Sequence, residues 1–269
     1  MSSTFLATGR LALYLPLTLV LIPIQFTALA LGLRAASRLP ILYHSLVCRV
    51  FGIDCVVGGS ISPARPTLFV ANHGSYIDIE VLGSIIEGSF VAKQEVADWP
   101  FFGLLAKLQR TVFVERNRRH AGMHRDAMAT RFEAGDDLIL FPEGTSNDGG
   151  HVLPFKSALF SLAEIGRDDG PITVQPVSIA YTHLDGIPLG RHMRPFVAWY
   201  GDMDMLPHLW ALLGLGRLTV HVDFHAPVTI DDFTSRKEMA AYCQRVVGGG
   251  VTSAIYARPQ PEIPLRRAA

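Results

Sequence analysis

From Leu11 to Leu33 the chain carries no charged side chain. These 23 residues exceed the roughly 20 that a helix needs to span a bilayer core, so the segment is expected to enter the membrane. Pro16 and Pro23 interrupt it, and a kinked or re-entrant helix is therefore as compatible with the sequence as a straight span. A cleaved signal peptide is the competing reading, because Arg10 precedes the run and Ala28-Leu29-Ala30 resembles a cleavage site. Arg34, Arg38 and Arg49 crowd the C-terminal flank. Cytoplasmic loops carry the excess of basic residues, which favours a retained anchor with the rest of the chain on the inner, cytoplasmic face of the membrane.

The remainder of the 269 residues is enough for one α/β domain, and no Pro/Gly/Ser-rich linker divides it. The expected organisation is an anchor and interfacial helix over residues 1–58, a catalytic domain over 59–256 and a disordered tail over 257–269. Within the first part, Leu39 to Val57 reads as a second helix, either interfacial or packed in the ordinary way. Leu206, Leu209, Trp210, Leu212, Leu213 and Leu215 form another apolar run, a second membrane contact or a cover for the sheet.

Beyond Thr67 the pattern alternates. Strands are expected at Thr67 to Ala71, Phe90 to Ala92, Thr111 to Val114, Leu138 to Phe141, Ile172 to Ala180, Phe196 to Tyr200 and Leu218 to Phe224. Helices are expected at Ile77 to Ile86, Pro100 to Leu108, Ala121 to Phe132 and Lys156 to Ile165. A last helix, capped by Thr234 or Ser235, should stop at Gly248-Gly249-Gly250. Such alternation implies an α/β fold.

Charge and cysteine content exclude several functions. The 24 basic and 24 acidic residues cancel, so the electrostatic footprint of a nucleic-acid binder is missing. Cys48, Cys55 and Cys243 are odd in number and lack C-x-x-C spacing, which argues against a disulfide framework and against zinc. The ten histidines show no H-E-x-x-H or similar ligand spacing, so neither a metal nor a cofactor is expected.

Two segments carry the chemistry. Asn72-His73-Gly74-Ser75-Tyr76-Ile77-Asp78 lies where a strand should end and a helix begin, the usual ligand position in open α/β sheets. A neutral His73 can take a proton from a hydroxyl. Asp78, five residues on, can fold back through the turn and hold the other ring nitrogen. Leu138 to Ser146 is a second strand running into a turn, with Glu143 just past its end, able to accept from an acceptor's hydroxyls. Backbone amides around Gly144 and Thr145 can stabilise developing negative charge. Lone histidines and Pro-Glu-Gly turns are commonly structural; it is the pairing of the two segments that argues for a site.

That pairing resembles the glycerolipid acyltransferases typified by 1-acyl-glycerol-3-phosphate acyltransferase, whose His-x-x-x-x-Asp and Phe-Pro-Glu-Gly-Thr motifs occur here in order. Val112-Phe113-Val114-Glu115-Arg116 looks like the family's acceptor-binding motif and Val174-Gln175-Pro176-Val177 like its fourth block. The resemblance implies a mixed open sheet flanked by helices. It also implies direct acyl transfer from the thioester of an acyl carrier protein or coenzyme A to a lysolipid hydroxyl, with His73 as base and Asp78 orienting it. Asn72, Arg116, Glu143, Gly144 and Thr145 would then serve substrate binding, with Arg116 pairing a phosphate or carboxylate.

Two departures bear on the acceptor. Arg110 stands where a glycine often opens the second motif, and Ser146 stands where an arginine commonly follows Glu-Gly-Thr. A lost cation weakens binding of a phosphate more than of a zwitterion, and Gly-Thr-Ser-Asn-Asp-Gly looks like the lyso-ornithine-lipid branch. Arg110 would restore the charge, so the acceptor is lyso-ornithine lipid, lysophosphatidate or both. Lys93 and Lys156 are further candidate contacts. The rivals are a lipid esterase using the same His-Asp pair and a non-catalytic membrane-associated module.

Overall fold

The computed structural model describes residues 2–114, 128–164, 166–167, 170–259 and 263. The apolar N-terminal run forms one helix, α1 (Thr4–Ala30), whose start is capped by the Ser3 side chain accepting from Leu6 N–H. Both prolines lie inside it. A second helix, α2 (Ala35–Phe51), ends at Gly52 in the left-handed conformation. The chain then turns straight into strand β1 (Ile53–Gly59). The helix expected to run to Val57 therefore stops six residues sooner. Residues expected to belong to the anchor form an edge strand of the sheet, because Gly52 allows the turn and the Cys55-Val56-Val57 run favours extended backbone.

The other principal elements are β2 (Thr67–Ala71), α3 (Ile77–Gly83), β3 (Gly88–Lys93), α4 (Phe102–Leu108), β4 (Val112–Val114), β5 (Asp137–Leu140), β6 (Thr173–Leu184), α5 (Met205–Leu213), β7 (Leu218–Phe224) and α6 (Arg236–Tyr256). The strands order as β1-β7-β6-β2-β5-β3-β4. From β6 to β4 all neighbours are parallel, whereas β7 runs antiparallel to β6 and β1 parallel to β7. The sheet is mixed and open, with helices on both faces.

Alternation along β2 shows how the faces are filled. Phe69 and Ala71 join a core with residues of α1, α2, α3 and α5, while Leu68 and Val70 join one with α6, Phe132 and Phe160. A strand buried on both sides reads as the unbroken apolar run that Thr67 to Ala71 is.

Three local expectations differ from the structure. Phe196 to Tyr200 is not a strand; a 3₁₀ turn (Arg191–Phe196) leads into irregular chain anchored by Trp199 N–H donating to Gly74 O at 2.9 Å. Lys156 to Ile165 holds a 3₁₀ helix (Ser157–Leu162) rather than an α-helix, and Ile165 lies outside the described residues. The last helix does not stop at its three glycines. It needs one of them: a Cβ on Gly250 would lie 2.2 Å from Ser178 Oγ, so only glycine lets α6 approach β6 this closely.

Candidate active site

The carboxyl ends of β2 and β5 lie side by side, and their following turns carry the two motifs. β6 pairs with β2 through Ala71↔Val177 and continues beyond it. That extension supplies a wall for the turn after β2. Asn72 occupies it as a strand residue would: its Nδ2 donates to Ile179 O at 2.9 Å, and its Oδ1 accepts from Ile179 N–H at 2.8 Å. Those two bonds fix the buried amide to the backbone of β6.

His73 then projects with Nδ1 2.8 Å from Asp78 Oδ2. The same oxygen accepts from the amides of Gly74 (2.7 Å) and Ser75 (3.0 Å), so the carboxylate closes the turn as well as holding the ring. Asp78 Oδ1 accepts from the hydroxyl of Tyr181 on β6. Asp78 is wholly buried, whereas the His73 side chain keeps one-fifth of its surface exposed. With Nδ1 on Asp78, Nε2 is the nitrogen left for chemistry. Phe141 stacks on the imidazole at 4.2 Å and 17° and fixes the ring plane.

Glu143 sits beside this dyad in a different role from the one its motif suggested. Its Oε1 accepts from His73 N–H at 2.9 Å, and its Oε2 accepts from Asn147 Nδ2 (2.6 Å) and Leu153 N–H (3.1 Å). It is 2% exposed. Both oxygens are occupied, so Glu143 clamps the two motif turns together; burial pushes its carboxyl above the ordinary carboxylate range. Gly144 N–H is committed to Phe141 O at 3.0 Å, while exposed Thr145 leaves its amide without an acceptor among the described residues.

The remaining expected residues fall elsewhere. Arg110 is at the opposite, amino edge of the sheet, paired with Asp136 just before β5, and is not brought to the dyad. Arg116 lies outside the described residues. Lys93 faces Glu95 at 3.7 Å. The Lys156 ammonium lies against Gly144, 2.5 Å from the position of a Cβ there, and is exposed beside the second motif. Phe141 and Tyr181 were missed: Phe141 reads as a strand end, and Tyr181 is more than a hundred residues from Asp78.

On the α1 side of the sheet a cavity of about 180 Å³ is lined by residues of α1 (Thr18, Leu21, Ile22), α4 (Leu105, Ala106) and α5 (Leu209), among others. Phe90 and Tyr76 tie it to the site. Phe90 lines the cavity and stacks on Phe141 at 6.2 Å, while Tyr76 follows the His73 turn and meets His208 Nδ1 at 2.8 Å.

A family-wide sequence model described as Acyltransferase matches residues 55–180. A lyso-ornithine lipid O-acyltransferase of Brucella abortus is 44% identical over 250 residues, covering 91% of this chain and 94% of that protein. One from Rhizobium meliloti is 41% identical over 227 residues (83% and 78%). A 1-acyl-sn-glycerol-3-phosphate acyltransferase of Neisseria meningitidis is 34% identical over 169 residues, 62% of each chain. Among solved structures, the 1-acyl-sn-glycerophosphate acyltransferase PlsC of Thermotoga maritima superimposes with a TM-score of 0.62 at 26% identity. It covers 84% of this chain and 81% of its own.

Proposed function

We propose that this chain, which belongs to the acyltransferase family and is a lysolipid O-acyltransferase, transfers an acyl group to the hydroxyl of lyso-ornithine lipid with His73 as general base. The likeness to the Brucella abortus enzyme over nearly its whole length supports the choice of acceptor. The observation that carries the chemistry is the His73–Asp78 pair at the strand-end crevice.

The dyad fixes the direction of proton flow. When Nδ1–H donates to Asp78, Nε2 carries the ring's free lone pair and can receive the acceptor's hydroxyl proton. The oxygen bonds to the carbonyl carbon of an acyl thioester, of acyl carrier protein or coenzyme A, and the carbon–sulfur bond breaks. The departing thiolate takes the proton from the imidazolium. Asp78 stabilises that transient cation, and the unspent Thr145 amide is suited to the developing oxyanion. The cavity behind Phe141 suits an acyl chain.

The same elements support association with the membrane. Leu13, Leu19, Val20 and Phe26 leave more than half their surface exposed along α1, a contiguous apolar face that water does not favour. The opposite face is fastened to the domain: Ser3 N–H donates to Gly214 O, Arg10 to three carbonyls at and just past the end of α5, and Gln25 to Leu108 O. A helix held this way carries the domain with it, so we read α1 as immersed along its exposed face rather than threaded alone through the bilayer. Arg34, Arg38 and Arg49 are exposed near it and suit anionic headgroups of the inner membrane's cytoplasmic leaflet.

The test offers purified protein both lyso-ornithine lipid and lysophosphatidate with each donor. Ornithine lipid should form, and His73→Ala should slow it at least roughly a hundredfold. An unimpaired His73→Ala overturns the base assignment, and fatty acid release without acceptor would indicate hydrolysis.

A further inference from the structure

We propose that Asp148 and Arg194 form the binding site for a headgroup that carries both a carboxylate and an ammonium; this rests on the lyso-ornithine reading and deepens it. The loop bearing Asp148 is held directly against the catalytic turn. Asn147 N–H donates to His73 O at 3.0 Å, and the Asn147 side chain is gripped by Glu143. Asn147 Oδ1 accepts from Gly149 N–H at 2.7 Å, and a Cβ on Gly74 would lie 3.4 Å from Gly149 Cα. Asp148 thus stands one loop from the base, with its side chain 43% exposed.

Arg194 arrives from another part of the chain. It lies on the 3₁₀ turn whose continuation is pinned to Gly74 by Trp199 N–H. Its Nη1 lies over Gly150, 2.1 Å from where a Cβ would be, and Asp148 Oδ1 is 3.3 Å from that same point. Two opposite charges therefore flank one glycine, and any larger residue at 150 would push the guanidinium away. They do not pair with each other. Asp148 Oδ1 faces His151 Nδ1 at 2.9 Å and accepts from Gly150 N–H. Among the described residues, Asp148 Oδ2 and the Arg194 guanidinium have no partner.

Such a pair matches a zwitterion: guanidinium to carboxylate, carboxylate to ammonium. It also discriminates. A phosphate monoester beside Arg194 would bring its negative charge close to Asp148, a repulsion that an ornithine head converts into attraction. The cation absent at Ser146 is supplied from a different loop, together with an anion that a phosphate site would not hold.

The full-length protein is assayed with four acceptors: lyso-ornithine lipid, its norvaline analogue lacking the ammonium, its methyl ester lacking the carboxylate, and lysophosphatidate. Asp148→Asn should raise KM for lyso-ornithine lipid about tenfold or more, with no such rise for the norvaline analogue. Arg194→Gln should raise KM for both carboxylate-bearing acceptors but not for the methyl ester, and Gly150→Ala should reproduce its pattern with the charge still present. Thermal unfolding of each variant separates a folding defect from a lost contact. Losses spread equally over all analogues, or no loss at all, overturn the site while the acceptor reading survives. Wild-type protein that acylates lysophosphatidate but not the ornithine acceptor overturns both.

Discussion

The Tyr181 hydroxyl donates to Asp78 Oδ1, the carboxylate oxygen that His73 does not use. Burial and the neighbouring carboxylate push the phenol well above its ordinary range, so Tyr181 stays protonated and remains a donor. Tyr181→Phe leaves a buried charge with one donor fewer, at a cost of roughly 1–3 kcal/mol. It also frees Asp78 to shift under the imidazole. Both the denaturation midpoint and kcat should fall, the latter about tenfold; a variant with wild-type kcat would show that Tyr181 only fills space.

Glu143→Gln tests the clamp. Glutamine can still accept from His73 N–H through its oxygen, but its NH2 then confronts the Asn147 side chain and Leu153 N–H. Asn147 cannot flip without turning its NH2 onto Gly149 N–H, which its Oδ1 now accepts, and the Leu153 backbone amide cannot turn at all. Two donors are left facing a donor, at roughly 1–3 kcal/mol each. We expect a lower unfolding midpoint together with a lower kcat, because the displaced group holds the base's own backbone. If Glu143 served the acceptor directly, KM would change and stability would not.

Asp137 provides a pH signature far from the catalytic turn. It is 5% exposed at the start of β5, accepts from Thr67 N–H at 2.8 Å, and burial raises its pKa from 3.8 to about 6. A carboxyl with a raised folded-state pKa favours the fold below its unfolded value, and that contribution is lost as pH rises through the folded one. Wild-type stability should therefore decline more steeply between about pH 4 and 6 than that of Asp137→Asn, which keeps the acceptor for Thr67 and loses the titrating group. At 1.36 kcal/mol per unit the gap is at most roughly 3 kcal/mol. Urea unfolding in micelles across this range, with parallel curves for the two proteins, would refute the assignment.

Arg10 is the rivet of α1. It is 9% exposed and donates to the carbonyls of Leu213, Leu215 and Gly216 at 2.7–3.1 Å. Arg10→Ala strands those carbonyls at a cost of roughly 2–4 kcal/mol. Lysine cannot reproduce the planar fork, so Arg10→Lys should recover little. Faster proteolysis around Gly32 and a lower melting temperature are the expected readouts; unchanged digestion would mean that packing alone holds the helix.

The apolar run, the two-sided core strands and the His-to-Asp spacing were readable because each depends on local pattern: helix length, side-chain alternation, the reach of a five-residue turn. What was not readable is where a polar atom points. Asn72 and Glu143 belong to motifs that suggested substrate contact, and both spend their oxygens on neighbouring chain. Arg110 precedes a strand, and sequence does not say which end of that strand faces the crevice; the parallel register puts Arg110 at the far one. Tyr181 and Arg194 reach the site only through long-range pairing. The glycines of α6 read as a stop because propensity is local, and the close approach of Gly250 to β6 is not.

Thr18, Leu21, Ile22 and Gln25 of α1 form one side of the chamber that Phe90 and Phe141 connect to His73. If that cavity takes the acyl chain as proposed, trimming this helix would remove part of the binding wall, and a detergent that peels α1 off the sheet should weaken acceptor or donor binding rather than the proton transfer itself. On that reading, the helix proposed to lie in lipid is also a wall of the binding chamber, so membrane attachment and turnover should be lost together.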